Sequence, residues 1–88
     1  MRYDLTPEQA AFKDEVETFL REHLPEHVAA KVKRGAGVSK EELTHWTRTL
    51  NAKGWAAPAW PVEHGGTGWN LVQRHIFDVA CRAAHAPA

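Results

Sequence analysis

The residues suited to chemistry are few and dispersed along the chain. Among six histidines, His23 and His27 stand four apart, the spacing that sets two metal ligands on one face of a helix. Pro25 lies between them, no cysteine is near and no third ligand is defined, so scattered surface histidines are the leading reading and no metal site is expected. Glu63-His64 pairs a carboxylate with an imidazole, as general acid–base catalysis requires. Adjacent residues in a glycine-rich turn usually point apart, however, which favours a structural role. Gly65-Gly66-Thr67-Gly68 is only superficially a phosphate cradle: no strand precedes it and it lacks the Lys-Ser/Thr ending of a P-loop. Its glycines suit a tight turn that delivers the chain to a helix. Cys81, the sole cysteine, falls near the apolar face of a helical segment with no evident base beside it, so it reads as a small core residue rather than a nucleophile.

Four helical segments must position these groups. Thr6-Pro7-Glu8-Gln9 combines an N-cap Thr, a Pro at the first helical position and a Gln that reaches back to the cap. Phe12, Val16, Phe19, Leu20 and Leu24 then form one stripe at steps of three and four, up to the break at Pro25. A shorter helix is predicted from about Glu26 to Arg34, with Val28, Ala29 and Val32 inward and Gly35-Ala36-Gly37 as its stop. Ser39-Lys40-Glu41-Glu42 is a second capping box; Leu43, Trp46, Thr47 and Leu50 form the expected buried stripe, and Gly54 the C-terminal cap. Residues 55–69 hold two prolines, three glycines and three tryptophans, which destroys any helical or strand period and predicts a long ordered loop. Asn70-Leu71-Val72-Gln73 caps a fourth helix, running to about Ala84. Its broad apolar face is Leu71, Val72, Ile76, Val79, Ala80 and Ala83, and His85-Ala86-Pro87-Ala88 reads as a tail. The fold class is therefore all-α, a small bundle of about four helices with a Trp/Gly/Pro-rich loop between the third and fourth.

Composition bounds the rest. Eighty-eight residues, 43% of them hydrophobic, make one small domain whose core is thin. Eleven Lys and Arg balance eleven Asp and Glu, so no overall field draws the chain to nucleic acid or an anionic membrane. The balance is uneven, −4 over residues 1–26 and +4 over the remainder, where Lys31, Lys33, Arg34 and Lys40 could meet an acidic neighbour. Solvated helix faces are the simpler account. One cysteine excludes a disulfide framework, the N-terminal residues lack the apolar run of a signal peptide, and no stretch is apolar enough to span a membrane. A cytoplasmic location is expected.

Several elements, taken in order, resemble the amino-terminal helical domain of acyl-CoA dehydrogenases. They are Leu5-Thr6-Pro7-Glu8-Gln9-Ala10-Ala11-Phe12, Phe19-Leu20, Gly54-Trp55-Ala56-Ala57-Pro58, Trp60-Pro61-Val62-Glu63-His64-Gly65-Gly66-Thr67-Gly68-Trp69 and Gln73-Arg74-His75-Ile76-Phe77-Asp78. Together they span nearly the whole chain. The resemblance departs near the end, where relatives tend to read an acidic pair and then Ala-Arg-Ala-Gly-Ala-Pro and this chain has Asp78-Val79-Ala80-Cys81-Arg82-Ala83-Ala84-His85-Ala86-Pro87.

The resemblance implies a role in FAD-dependent oxidation of the α,β carbon bond of an acyl-CoA. Complete enzymes of this family have a helical amino-terminal domain, a middle β-domain and a carboxy-terminal helical bundle, and residues 1–88 correspond to the first alone. In the family the catalytic glutamate lies in the carboxy-terminal bundle, so no acidic residue here, Glu63 included, inherits that role. FAD is held mainly by the other two domains, and no flavin is expected to be held by this chain alone. The implied partners are those domains, or a subunit supplying them, and acyl-CoA, within an oligomer. The implied task is to cover one side of the flavin and acyl cleft, with the tryptophan loop and the fourth helix as the facing surface. For Trp46, Trp55, Trp60 and Trp69, core burial is the simpler expectation than ligand contact. A free-standing helical interaction module derived from such an enzyme is the alternative, and a small acyl- or nucleotide-binding protein a weaker one.

Overall fold

A computed structural model describes residues 4–87. Four helices follow in order: α1 (Pro7–His23), α2 (Glu26–Lys33), α3 (Lys40–Lys53) and α4 (Leu71–Ala83), with a single 3₁₀ turn at Val62–His64 inside the predicted loop. No strand occurs among the described residues. The molecule measures 36 × 34 × 21 Å, and its short dimension is that of two helix layers.

Each expected capping box forms. The Gln9 N–H donates to Thr6 Oγ1 (3.1 Å) while Gln9 Oε1 accepts from the Thr6 N–H (3.0 Å). Ser39 with Glu42 and Asn70 with Gln73 repeat the exchange at the starts of α3 and α4. These reciprocal bonds satisfy orphan donors that the first turn leaves free. Pro25 separates α1 from α2 as expected. Gly54 ends α3 in the left-handed conformation (φ 83°), and the Trp55 N–H then reaches back to the Leu50 carbonyl (2.9 Å). That reversal aims Trp55 inward.

The core joins Val16, Phe19 and Leu20 of α1, Trp46 of α3, Trp55 of the loop, and Phe77 and Ala80 of α4. α1 and α4 pack closely on each other, and aromatic rings fill the space beside them. Trp55 lies 4.9 Å from Phe19, 5.5 Å from Trp69 and 5.8 Å from Phe77 between ring centroids. Trp69 in turn meets Phe12 at 5.0 Å and Phe77 at 5.1 Å. Lys53 Nζ caps this group, 5.0 Å over the Trp55 ring and 3.5 Å from Glu15 of α1.

The stripes of α1 and α2 lie where their spacing puts them, with Val16, Phe19, Leu20 and Val28 buried. Three expectations need correction. On α3 only Trp46 is buried and Leu50 half-buried, while Leu43 and Thr47 are exposed; the helix meets the core around those two side chains, and its first turn faces α2 instead. On α4 the inward residues are Ile76, Phe77 and Ala80, whereas Leu71, Val72, Val79 and Ala83 face out. Phe77 takes the place expected of the outer four because its ring completes the aromatic group. The expected tail is also not free. His85 adopts a left-handed φ of 61° and the Ala86 N–H returns to the Cys81 carbonyl (2.9 Å), so Ala84 and Ala86 pack against the core. His85 stands where the resemblance places a glycine, in a conformation that disfavours a side chain. Ala88, the last residue of that tail, lies outside the described residues.

One carboxylate ties α2 to α3. Glu42 accepts from the Ser39 N–H (2.8 Å) and, through both oxygens, from Lys31 Nζ (2.8 and 2.9 Å), with His27 Nε2 at 3.3 Å. The Lys31 hydrogen bonds first, and then the Ser39 N–H, lower its pKa from 4.5 to about 2.

Two outcomes follow from this packing. Trp55→Ala will remove about 3–5 kcal/mol, a large share of the total stability of a small domain, and denaturant melts followed by far-ultraviolet circular dichroism will read the loss. Because the pKa of Glu42 falls on folding, its contribution is complete above about pH 4.5 and disappears as pH drops toward 2. Glu42→Gln keeps the capping box, as Gln9 and Gln73 do in theirs, so the stability gap between it and the unmodified chain will be widest at neutral pH and close between pH 4.5 and 2.

Candidate functional site

The tryptophan loop and the outer face of α4 form the most distinctive surface. Residues 55–69 leave the core at Trp55 and return to it at Trp69, and the contact between these two rings closes the base of an Ω-loop. The neck is held by short-range hydrogen bonds: Thr67 Oγ1 donates to the Pro58 carbonyl (3.2 Å), the Trp69 N–H to Thr67 Oγ1 (3.2 Å), and the Gly66 N–H to the Pro61 carbonyl (2.9 Å). Gly66 is demanded by space: a Cβ there would overlap the Trp60 carbonyl. The glycine run is therefore a device for folding the loop on itself, with Gly65 and Gly68 at φ 85° and 74° on either side.

The tip points outward. Trp60 is 61% exposed and Val62 64% exposed, so the core expectation holds for Trp46 and Trp55, holds in part for half-buried Trp69, and fails for Trp60. Beside the tip lies a hollow of about 460 Å³ whose walls include Asn51, Pro58, Trp60 and His64. On α4, Leu71 (73% exposed), Val72 and Val79 make an apolar stripe on the side away from Phe77 and Ala80. This surface offers apolar and aromatic contact rather than ionised groups, and such surface on a domain fits docking.

The remaining candidates are not brought together. His23 ends α1 and stacks on Phe19 at 4.7 Å, whereas His27 belongs to α2 and faces Glu42. Among the described residues no three His, Cys, Asp or Glu side chains converge as metal ligands do. Glu63 and His64 sit on the 3₁₀ turn, both exposed and separately solvated. Cys81 is half-buried against the core, and burial first, then the Asp78 carboxylate, push its pKa up to about 11, which keeps it a neutral thiol at physiological pH. Lys31 is engaged by Glu42, while Lys33, Arg34 and Lys40 are exposed around the turn between α2 and α3. No helix among the described residues is long and apolar enough to cross a membrane.

Sequence reasoning missed the pairing of Trp55 with Trp69 and the inward place of Phe77. The second had a signal, since Phe77, Ala80 and Ala84 repeat at steps of three and four. The first had none, because residues 14 apart across a loop meet only through the fold.

The architecture defines a small all-α domain that presents an aromatic Ω-loop beside a two-faced helix. The sequence model of the family described as "Acyl-CoA dehydrogenase, N-terminal domain" matches residues 6–87. The chain belongs to that family. No curated protein and no solved structure matches it.

Gly66→Ala will force the loop neck open. The expected result is a redder, more quenchable tryptophan emission and a lower melting temperature, whereas Ala59→Ser, at an exposed position of the same loop, will leave both unchanged.

Proposed function

We propose that these residues serve as the amino-terminal helical domain of an FAD-dependent acyl-CoA dehydrogenase, covering one side of its flavin and acyl cleft without supplying the catalytic base. The observation that carries this reading is the family match over residues 6–87. The exposed stripe of Leu71, Val72 and Val79, with Trp60 and Val62 at the loop tip, supports a surface that packs against further domains.

In such an enzyme FAD, when bound, would supply the two-electron acceptor for oxidation of the acyl thioester, with a base outside this chain taking the proton. The residues of this chain do not by themselves fit a flavin site. Among the described residues no polar or charged side chain is buried, and no buried side-chain nitrogen or oxygen lacks a partner that a flavin ring or pyrophosphate would satisfy. By the family resemblance FAD would be held mainly by the middle and carboxy-terminal domains, and no chemical step is routed through this chain. What it contributes is apolar cover: Trp60, Val62 and the outer α4 residues exclude water from the neighbouring domains they meet.

The test is to isolate from source cells the protein that carries this sequence. A yellow protein that reduces an artificial electron acceptor with acyl-CoA, and loses that turnover when residues 4–87 are deleted, is the expected result. A colourless protein without acyl-CoA-dependent reduction would overturn the reading in favour of a separate interaction module. Turnover by the 88-residue chain alone would overturn the assignment of the catalytic base to another domain.

A further inference from the structure

We propose that α2, with the turn that follows it, is a strap that opens and closes independently of the rest of the domain, latched to α3 by the Lys31–Glu42 ion pair. The proposal rests on how little else attaches this segment. α2 has eight residues, and an isolated helix of that length is unstable in water. Its persistence depends on what it touches. Only Val28 is buried, at 2% exposure, and it lies outside the aromatic cluster that unites α1, α3, the loop and α4.

Open surface grooves flank the strap on both sides. An open surface groove of about 500 Å³ runs along Glu26 and Ala29 of α2, Leu20 and Leu24 of α1 and Ala80 and Ala83 of α4. A second, of about 400 Å³, lies between Val32, Ala36 and Val38 and the end of α4 at Arg82, His85 and Pro87. Along these grooves the margins of α2 face solvent rather than neighbouring side chains, so few dispersion contacts hold them. The flanks suit hinging: Pro25 interrupts the helix on one side, and Gly35 and Gly37 follow on the other.

Against this, the latch is a charge-assisted contact made through both oxygens of one carboxylate. Lys31 Nζ reaches both oxygens of Glu42, whose side chain is only 16% exposed, and His27 one turn earlier approaches the same carboxylate. The Glu42 carboxylate is also fixed from its own side by the Ser39 N–H. Closing the strap therefore needs one apolar side chain and one charge-assisted contact, and opening it leaves the α1–α4 pair and its aromatic filling intact.

Native-state hydrogen exchange on the full chain tests this. Amides of residues 28–36 will exchange through openings that depend little on added denaturant, while the slowest amides of α1 and α4 will follow the global unfolding curve. Lys31→Met removes the latch but preserves the Ser39–Glu42 capping box, and will accelerate exchange over residues 28–36 by about fivefold or more with α1 and α4 unchanged. Val28→Ala removes the other attachment and will act in the same confined way. Exchange of α2 in step with α1 and α4 would overturn the proposal, as would an effect of Lys31→Met that spreads equally over all helices or is absent from α2.

Discussion

The contact of Trp55 with Phe19, Trp69 and Phe77 is the interaction on which the remaining structure depends. A chain of this length cannot build a deep aliphatic core. It instead places large rings where elements of different origin converge, so that one side chain joins α1, the loop and α4 at once. Rings are effective here because each buries a large area for few rotatable bonds, and their offset and edge-on contacts fix orientation as well as distance. Removing the ring would not leave a smaller version of the same core; it would detach the loop from the pair of helices it spans.

That dependence explains why family membership is legible in these residues while catalytic residues are not. Gly54 turns α3 so that Trp55 faces inward, Gly66 admits the Trp60 carbonyl at the loop neck, and Trp69 closes the base before Asn70 caps α4. Each element of the recognisable pattern thus has a geometric task within the domain. Among the described residues none of them presents a buried carboxylate, and Cys81 is held as a neutral thiol. The motif describes how this domain folds.

The parts of the fold read correctly from sequence are those governed by local rules. Capping boxes, Pro25, Gly54 and the apolar stripe of α1 act within a few residues of themselves, so spacing alone determines them. Errors arise where the answer depends on distant neighbours. Leu43 and Thr47 have suitable spacing but no element above them, and Ala86 packs inward because the Cys81 carbonyl captures its N–H three residues beyond the end of α4. The loop was legible as ordered because three tryptophans are too apolar for a solvated linker, yet which of them would be exposed was not. Trp60 differs from Trp55 and Trp69 only in its place at the tip.

α4 shows how such ambiguity carries functional meaning. Its apolar residues cover more of the circumference than α1 can occupy, and the fold resolves the excess by burying Ile76, Phe77 and Ala80 and leaving Leu71, Val72 and Val79 in solvent. A helix serving one core would place polar residues at those outer positions, as α1 does with Asp14, Glu15 and Glu22. Valine and leucine there stabilise the domain less than buried ones would, because Leu71 keeps 73% of its area in water and Val72 and Val79 close to half. The stripe is therefore better accounted for by contact outside the domain than by its internal packing, and it adjoins in sequence the loop whose tip is exposed in the same way.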